Sequence, residues 1–239
     1  MSYRLYVSLQ EDDRVSMFAM DGATGRLRHE ASTEVSGGPA PMAADPGGRF
    51  LYVGRRGSCE ISSYRIDRNT GVLALIGTVS VDTDPCYIST DRRGRFLLSS
   101  YYEGSKVAVH PIGDDGAVTS PPVQSVATAR GAHSIQTDPS NRFAFVPHIA
   151  GNGPNAIFQF RFDEDTGRMT PNVPPLLEPS ERLGPRHFCF HPGRDILYFS
   201  NEQGSSVTGY HLDSSVGTLT AFQTVSTLPE EFHGGNSCA

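Results

Sequence analysis

An all-β chain built from repeated four-stranded antiparallel sheets is the fold class this sequence predicts, and three observations carry the prediction. Composition is the first: 25 Gly and 17 Pro accompany 37% hydrophobic residues in 239, which supplies a core but is too rich in turn-forming residues for a helical bundle. The second is a recurring unit, DPGGRFLYVGRR (Asp45–Arg56), DRRGRFLLSSYY (Asp91–Tyr102), DPSNRFAFVPHI (Asp138–Ile149) and HPGRDILYFSNE (His191–Glu202). The third is a landmark between and around these units, MDGATGRL, IDRNTGVL, IGDDGAV, FDEDTGRM and LDSSVGTL, which places Gly25, Gly71, Gly116, Gly167 and Gly217 at equivalent turns. Two hairpins in a period of about 47 residues is the size of one propeller blade.

Each part of the unit has a physical reason. In Asp-Pro-x-Gly/Asn-Arg the proline sets φ and the Gly or Asn accepts left-handed backbone, turning the chain between alternating strands such as RFLYV and ISSYRI. The Thr-Gly-x-Leu landmark suits a hairpin whose glycine takes positive φ in a bulge. A single such sheet cannot bury both faces and has to stack on its neighbours. The fold is therefore a β-propeller.

Units start near residues 1, 39, 85, 132 and 185, so residues 1–239 read as one domain holding about five blades of an incomplete ring. The opening RLYVSLQ matches only the later half of a unit, so the first sheet should lack its inner strand. The closing NSCA falls where another inner strand would begin. An open or C-terminally truncated ring is expected, with strand edges and apolar blade faces exposed to association.

A net charge of -6 and a pI near 5.7 argue against nucleic-acid or anionic-membrane partners, which require clustered Lys and Arg. Lys106 is the only lysine, which disfavours Schiff-base chemistry. Cys59, Cys86, Cys189 and Cys238 have no C-x-x-C spacing, and the start of the chain has no secretion signal. These features predict a cytoplasmic protein with four free, buried thiols, no metal and no cofactor. No glycine-rich phosphate loop opens a helix, so nucleotide binding has no support.

Aligned on the Asp/His-Pro turn, Arg186 is in register with Ala40, Cys86 and His133 near the start of the channel-lining strand. Small residues in two blades, and His and Arg in two adjacent ones, are the asymmetry expected of a site built at one place on a repeat. Glu202 is in register with Arg56, Tyr102 and Ile149, where the second strand ends at the same mouth.

The repeats, together with GPRHFCFHP, SNEQGSSV and QTVSTLPEEF (Gln223–Phe232), resemble the seven-bladed propeller lactonase family. That family includes bacterial 6-phosphogluconolactonase of the propeller type and carboxy-cis,cis-muconate cyclase. The resemblance covers essentially the whole chain and implies that His133 in GAHS, Arg186 in GPRH and Glu202 in SNEQ are catalytic. A further arginine implied in a later blade has no counterpart here. Absent Trp and absent WD signatures disfavour the WD40 propellers.

Lactone opening needs an activated water and a stabilised oxyanion. Arg186 suits the carbonyl oxygen or a substrate phosphate or carboxylate. Glu202 or His133 suits the base, with Glu202 favoured and His133 as a positioning group. His148 and Asn155, expected in an extended loop, and Tyr102 are candidate substrate contacts. His187 is a further candidate, although its strand parity is opposite to that of Arg186 and favours packing.

Three functions remain: hydrolysis of a sugar lactone such as 6-phosphogluconolactone, with the lactone as small-molecule partner; a cyclase acting on a muconolactone; and a non-catalytic propeller that binds at its channel mouth.

Overall fold

In the computed structural model, which describes residues 2–238, nineteen strands form five antiparallel sheets. Sheet one holds β1 (Ser2–Leu9), β2 (Arg14–Asp21) and β3 (Leu27–Glu34). Sheet two holds β4 (Pro39–Ala44), β5 (Phe50–Arg55), β6 (Glu60–Ile66) and β7 (Leu73–Ser80). Sheet three holds β8 (Tyr87–Thr90), β9 (Phe96–Tyr101), β10 (Lys106–Pro111) and β11 (Gln124–Ala127). Sheet four holds β12 (Gln136–Thr137), β13 (Phe143–His148), β14 (Ala156–Phe162) and β15 (Met169–Leu177). Sheet five holds β16 (Pro185–Phe190), β17 (Ile196–Asn201), β18 (Ser206–Asp213) and β19 (Thr218–Ser226). Within each sheet the strands are neighbours in chain order, the up-and-down arrangement of a propeller blade. Among the described residues sheet one has three strands, without the inner one, as the repeat predicts.

The repeated aspartate shapes the turn between the two inner strands. One carboxylate oxygen of Asp91 accepts the backbone N–H groups of Arg95 (2.7 Å) and Phe96 (2.9 Å), and Asp138 does the same for Arg142 and Phe143 at 2.8 Å each. These are donors the turn would otherwise leave unpaired. In sheet five His191 takes the aspartate's place, its Nδ1 accepting the Gly193 N–H at 3.0 Å.

The two sequence landmarks meet across the three boundaries from sheet two to sheet five. Gly167, at φ +71, lies so close to Phe96 that a Cβ on it would come within 2.5 Å of the ring, and Gly217, at φ +74, stands likewise over Phe143 at 2.0 Å. Both the left-handed backbone and the contact exclude any side chain there. The phenylalanine that follows each of the Asp45, Asp91 and Asp138 turns thus packs on the hairpin glycine of the next sheet.

Four apolar clusters, one at each junction between successive sheets, make up the core. Leu51 and Val53 meet Val15 and Val35; Tyr52 and Ile61 meet Ile88 and Leu97; Val107 and Val109 meet Ala144 and Val146; Phe145 and Ile157 meet Phe188 and Phe199. None of these clusters joins sheet five to sheet one. Nearest-neighbour stacking is the source of stability in such an array.

The thiols depart from expectation. All four are free, but Cys189 is exposed and the others are half-buried. Cys189 lies on the outward face of sheet five, and Cys86 lies beside the central cavity, so neither has a blade packed over it. No helix among the described residues is long and apolar enough to cross a membrane.

His148 also departs from expectation. It closes strand β13 instead of lying in a loop, and it is 0% exposed. Its ring packs on Phe158 at 4.4 Å, and its nitrogens lie 3.1 Å from Val146 O and Thr128 Oγ1. Strand pairing with β14 extends through this residue, and its ring turns into its own sheet's packing instead of a ligand site.

Burial lowers the pKa of His148 to about 4, against about 6.5 for an unfolded histidine. As pH falls below the unfolded value, the unfolded chain takes up a proton that the folded chain refuses. Stability present above about pH 6.5 is therefore lost progressively, by about 3 kcal/mol for this residue, until both states are protonated below about pH 4. Thermal melts from pH 7 to 4 should show a steep fall in Tm that is shallower in His148→Gln. An unchanged slope in that variant would rule out His148 as the titrating group.

Candidate active site

A cavity of about 520 Å³ opens at the mouth where the inner strands begin, within the range of small-molecule sites. Its wall contains Ala40, Cys86, His133 and Arg186 from one register position, and Arg56, Tyr102, Ile149 and Glu202 from the other. Pro41, Glu103 and His187 complete it. Residues scattered over the chain converge here because equivalent positions of stacked blades lie side by side.

Bulges decide how many side chains each blade contributes. In sheet two the register slips between Pro39 and Met42, and in sheet five between Pro185 and Phe188. An extra residue breaks the alternation of a strand, so Ala40 and Pro41 both face the cavity, as do Arg186 and His187. This corrects the parity argument that placed His187 on the opposite face. Its ring lies 4.9 Å from that of His133 and 5.7 Å from that of Tyr87.

Strand β12 is short, so His133 lies just before it, held by its N–H donating to Pro147 O at 3.0 Å. From the next sheet Arg186 reaches across: its Nε–H donates to His133 Nε2 at 2.9 Å while lying 3.2 Å from Glu202 Oε2. The carboxylate partner of Arg186 thus comes from its own sheet, not from a neighbour. Gln203 Nε2 donates to the other oxygen, Glu202 Oε1, at 2.8 Å, and Gln203 Oε1 accepts the Ala150 N–H from sheet four at 2.9 Å. Imidazole and carboxylate therefore meet at one atom of the guanidinium, Nε, while Nη1 and Nη2 of Arg186 make no hydrogen bond among the described residues. Arg186 and Glu202 side chains remain 24% and 20% exposed, enough to meet a ligand.

The electrostatics match this geometry. Burial, then the neighbouring Arg186 charge and His187, push His133 down to about 3. His133 is therefore neutral near pH 7, its Nε2 lone pair serving as acceptor for Arg186. His187 is lowered too, by burial and then by Arg186. Burial raises the Cys86 thiol to about 11, so it stays protonated and makes a poor nucleophile.

Tyr102 reaches the cavity, its ring 6.0 Å from that of His133. Asn155 does not. It takes left-handed backbone at φ 55, its amide donates to Glu181 O at 2.9 Å, and its Oδ1 accepts the Gly184 N–H at 2.8 Å. That side chain braces the segment leading into Arg186. Arg56, in register with Glu202 but not singled out from sequence, also lines the wall. The same alignment that found Glu202 could have found it. Among the described residues no group of three or more His, Cys, Asp or Glu is placed to hold a metal ion.

Residues 4–239 match the family model described as lactonase, seven-bladed β-propeller. The chain is 35% identical over 235 residues to a 6-phosphogluconolactonase of Pectobacterium carotovorum, covering 98% of this chain and 68% of the relative. To a 6-phosphogluconolactonase of Pectobacterium atrosepticum it is 34% identical over 234 residues, with 97% and 68% covered. Among solved structures, the periplasmic gluconolactonase of Pseudomonas aeruginosa superposes with a TM-score of 0.83 at 24% identity, covering 99% of this chain and 71% of that one. A Bacteroides fragilis structure superposes with a TM-score of 0.84 at 22% identity, covering 96% and 68%. At these identities the structural likeness is one of fold.

Proposed function

Since this chain belongs to the seven-bladed β-propeller lactonase family, we propose that it hydrolyses a sugar lactone, with 6-phosphogluconolactone as substrate and 6-phosphogluconate as product. The observation that carries this reading is the meeting of His133 and Glu202 at Nε of Arg186 in a cavity wall, with the terminal donors of Arg186 uncommitted.

Water's oxygen bonds to the lactone carbonyl carbon as the Glu202 carboxylate takes its proton. Charge that develops on the carbonyl oxygen is received by Nη1 and Nη2 of Arg186, donors that no other group among the described residues engages. When the tetrahedral intermediate collapses, the ring C–O bond breaks and the departing oxygen takes the proton back from Glu202. The product carries one new carboxyl group and one new hydroxyl, and Glu202 returns ionised. His133, an acceptor too acidic in its conjugate form to act as base near pH 7, fixes the rotation of the guanidinium. Glu202 keeps acceptor capacity beyond its two existing partners, since a carboxylate offers about four lone-pair sites.

The test is direct. Purified 239-residue protein should accelerate acid release from 6-phosphogluconolactone above the spontaneous rate and leave a carboxymuconolactone untouched. Turnover of the muconolactone alone would transfer the site to the cyclase chemistry. Binding of the sugar lactone with no turnover of either would make the protein a binding module.

A further inference from the structure

A second guanidinium lines the cavity, and it is mounted differently from the first. Arg56 follows strand β5, and its Nε and Nη2 both point to Asp84 Oδ2, at 3.3 and 2.9 Å. Asp84 is not part of the cavity wall, so the carboxylate grips the guanidinium from behind. Nη1 has no hydrogen-bond partner among the described residues. Beside Arg56 the wall is made of Ala40 and Pro41, small side chains that leave room for a bulky group.

The other charges of the wall have roles or partners of their own. Arg186 is tied to His133 and Glu202, and Glu103 is held by Arg130 at 2.9 Å. Cys86 and His133 line the same cavity as both arginines. An ion pair as exposed as Arg56 with Asp84, at 41% and 28%, contributes little to folding. Its position at the cavity wall is better accounted for by a ligand.

We propose that Arg56 receives the anionic group of the substrate at the end remote from the reacting carbonyl, and thereby selects phosphorylated over neutral sugar lactones. This rests on the lactonase reading. Guanidinium Nη donors suit a phosphate oxygen, and Arg56 shares one cavity with Arg186, so a single bound lactone can meet both. Arg56 is then a specificity residue, with no part in bond making.

The measurement is calorimetric binding of 6-phosphogluconate and of gluconate to the full chain, alongside KM and kcat on the corresponding lactones, for wild type, Arg56→Gln and Arg56→Lys. In Arg56→Gln, Kd and KM for the phosphorylated ligands should rise on the order of ten- to a hundredfold, with kcat and gluconate binding unchanged. Arg56→Lys should recover part of the loss. Equal changes for both ligands, or none, in a protein that turns over lactone would overturn the role of Arg56 alone. A wild-type protein that binds neither acid and turns over neither lactone would instead refute the lactonase reading, and this inference with it.

Discussion

Arg186→Ala should lower kcat on the sugar lactone by on the order of 10²- to 10³-fold, the cost of removing an oxyanion donor. The loss should fall on kcat more than on KM, because the terminal nitrogens meet full charge only when the carbonyl oxygen becomes an oxyanion. A loss confined to KM would instead assign Arg186 to ground-state binding of a phosphate or carboxylate. Arg186→Lys should rescue little: an ammonium can approach the oxygen, but it lacks the fork that engages His133 through Nε while leaving two nitrogens for substrate. A second readout does not depend on turnover. The Arg186 charge is one of the causes that depress His133, so the His133 ring should titrate at higher pH in Arg186→Ala. An unmoved titration together with turnover within about threefold of wild type would remove Arg186 from the reaction.

Repetition is what made so much of this protein readable. Once the Asp-Pro turns were aligned, two columns of four residues described most of the cavity wall, because stacked blades put equivalent positions at equivalent heights around one opening. Asp91 and Gly167 were legible as turn residues for the same local reason, since carboxylate-to-backbone bonds and positive φ leave a mark in the type of residue chosen.

The failures came from effects that cross between blades or break the period. A bulge adds one residue to one strand, and nothing in the composition of Pro185–Phe188 announces it, so His187 was assigned to the wrong face. His148 is polar and near a glycine-rich stretch, yet its burial depends on Phe158 and Thr128, one in the adjacent strand of its own sheet and one preceding that sheet in the chain. Asn155 was placed at the ligand because it is a loop amide; its two ends are instead consumed by Glu181 and Gly184. Arg56 stands in the same column as Glu202, yet a positively charged residue at a rim is ordinary until its partner is known to lie behind it.

Glu202→Gln should cost about 10²- to 10⁴-fold in kcat, the usual range for a positioned general base, with little change in fold. The amide keeps the shape of the carboxylate, and its oxygen can still accept from Gln203 Nε2. What it loses is the capacity to hold water's proton. That loss has a signature in pH. In the wild type the rate should fall on the acid side as the base is protonated, and in Glu202→Gln that limb should vanish, leaving a small rate that climbs with hydroxide after the spontaneous reaction is subtracted. His133 cannot imitate this behaviour, because it remains neutral down to about pH 3, so an acid limb well above that value must belong to another group. If Glu202→Gln retained the limb, water would be activated elsewhere and Glu202 would serve only to hold Arg186. In that case the variant should also loosen the guanidinium, and the titration of His133, which is sensitive to the arginine charge beside it, would shift with the loss of activity. A lost limb with an unmoved His133 titration is the outcome that assigns the proton to Glu202.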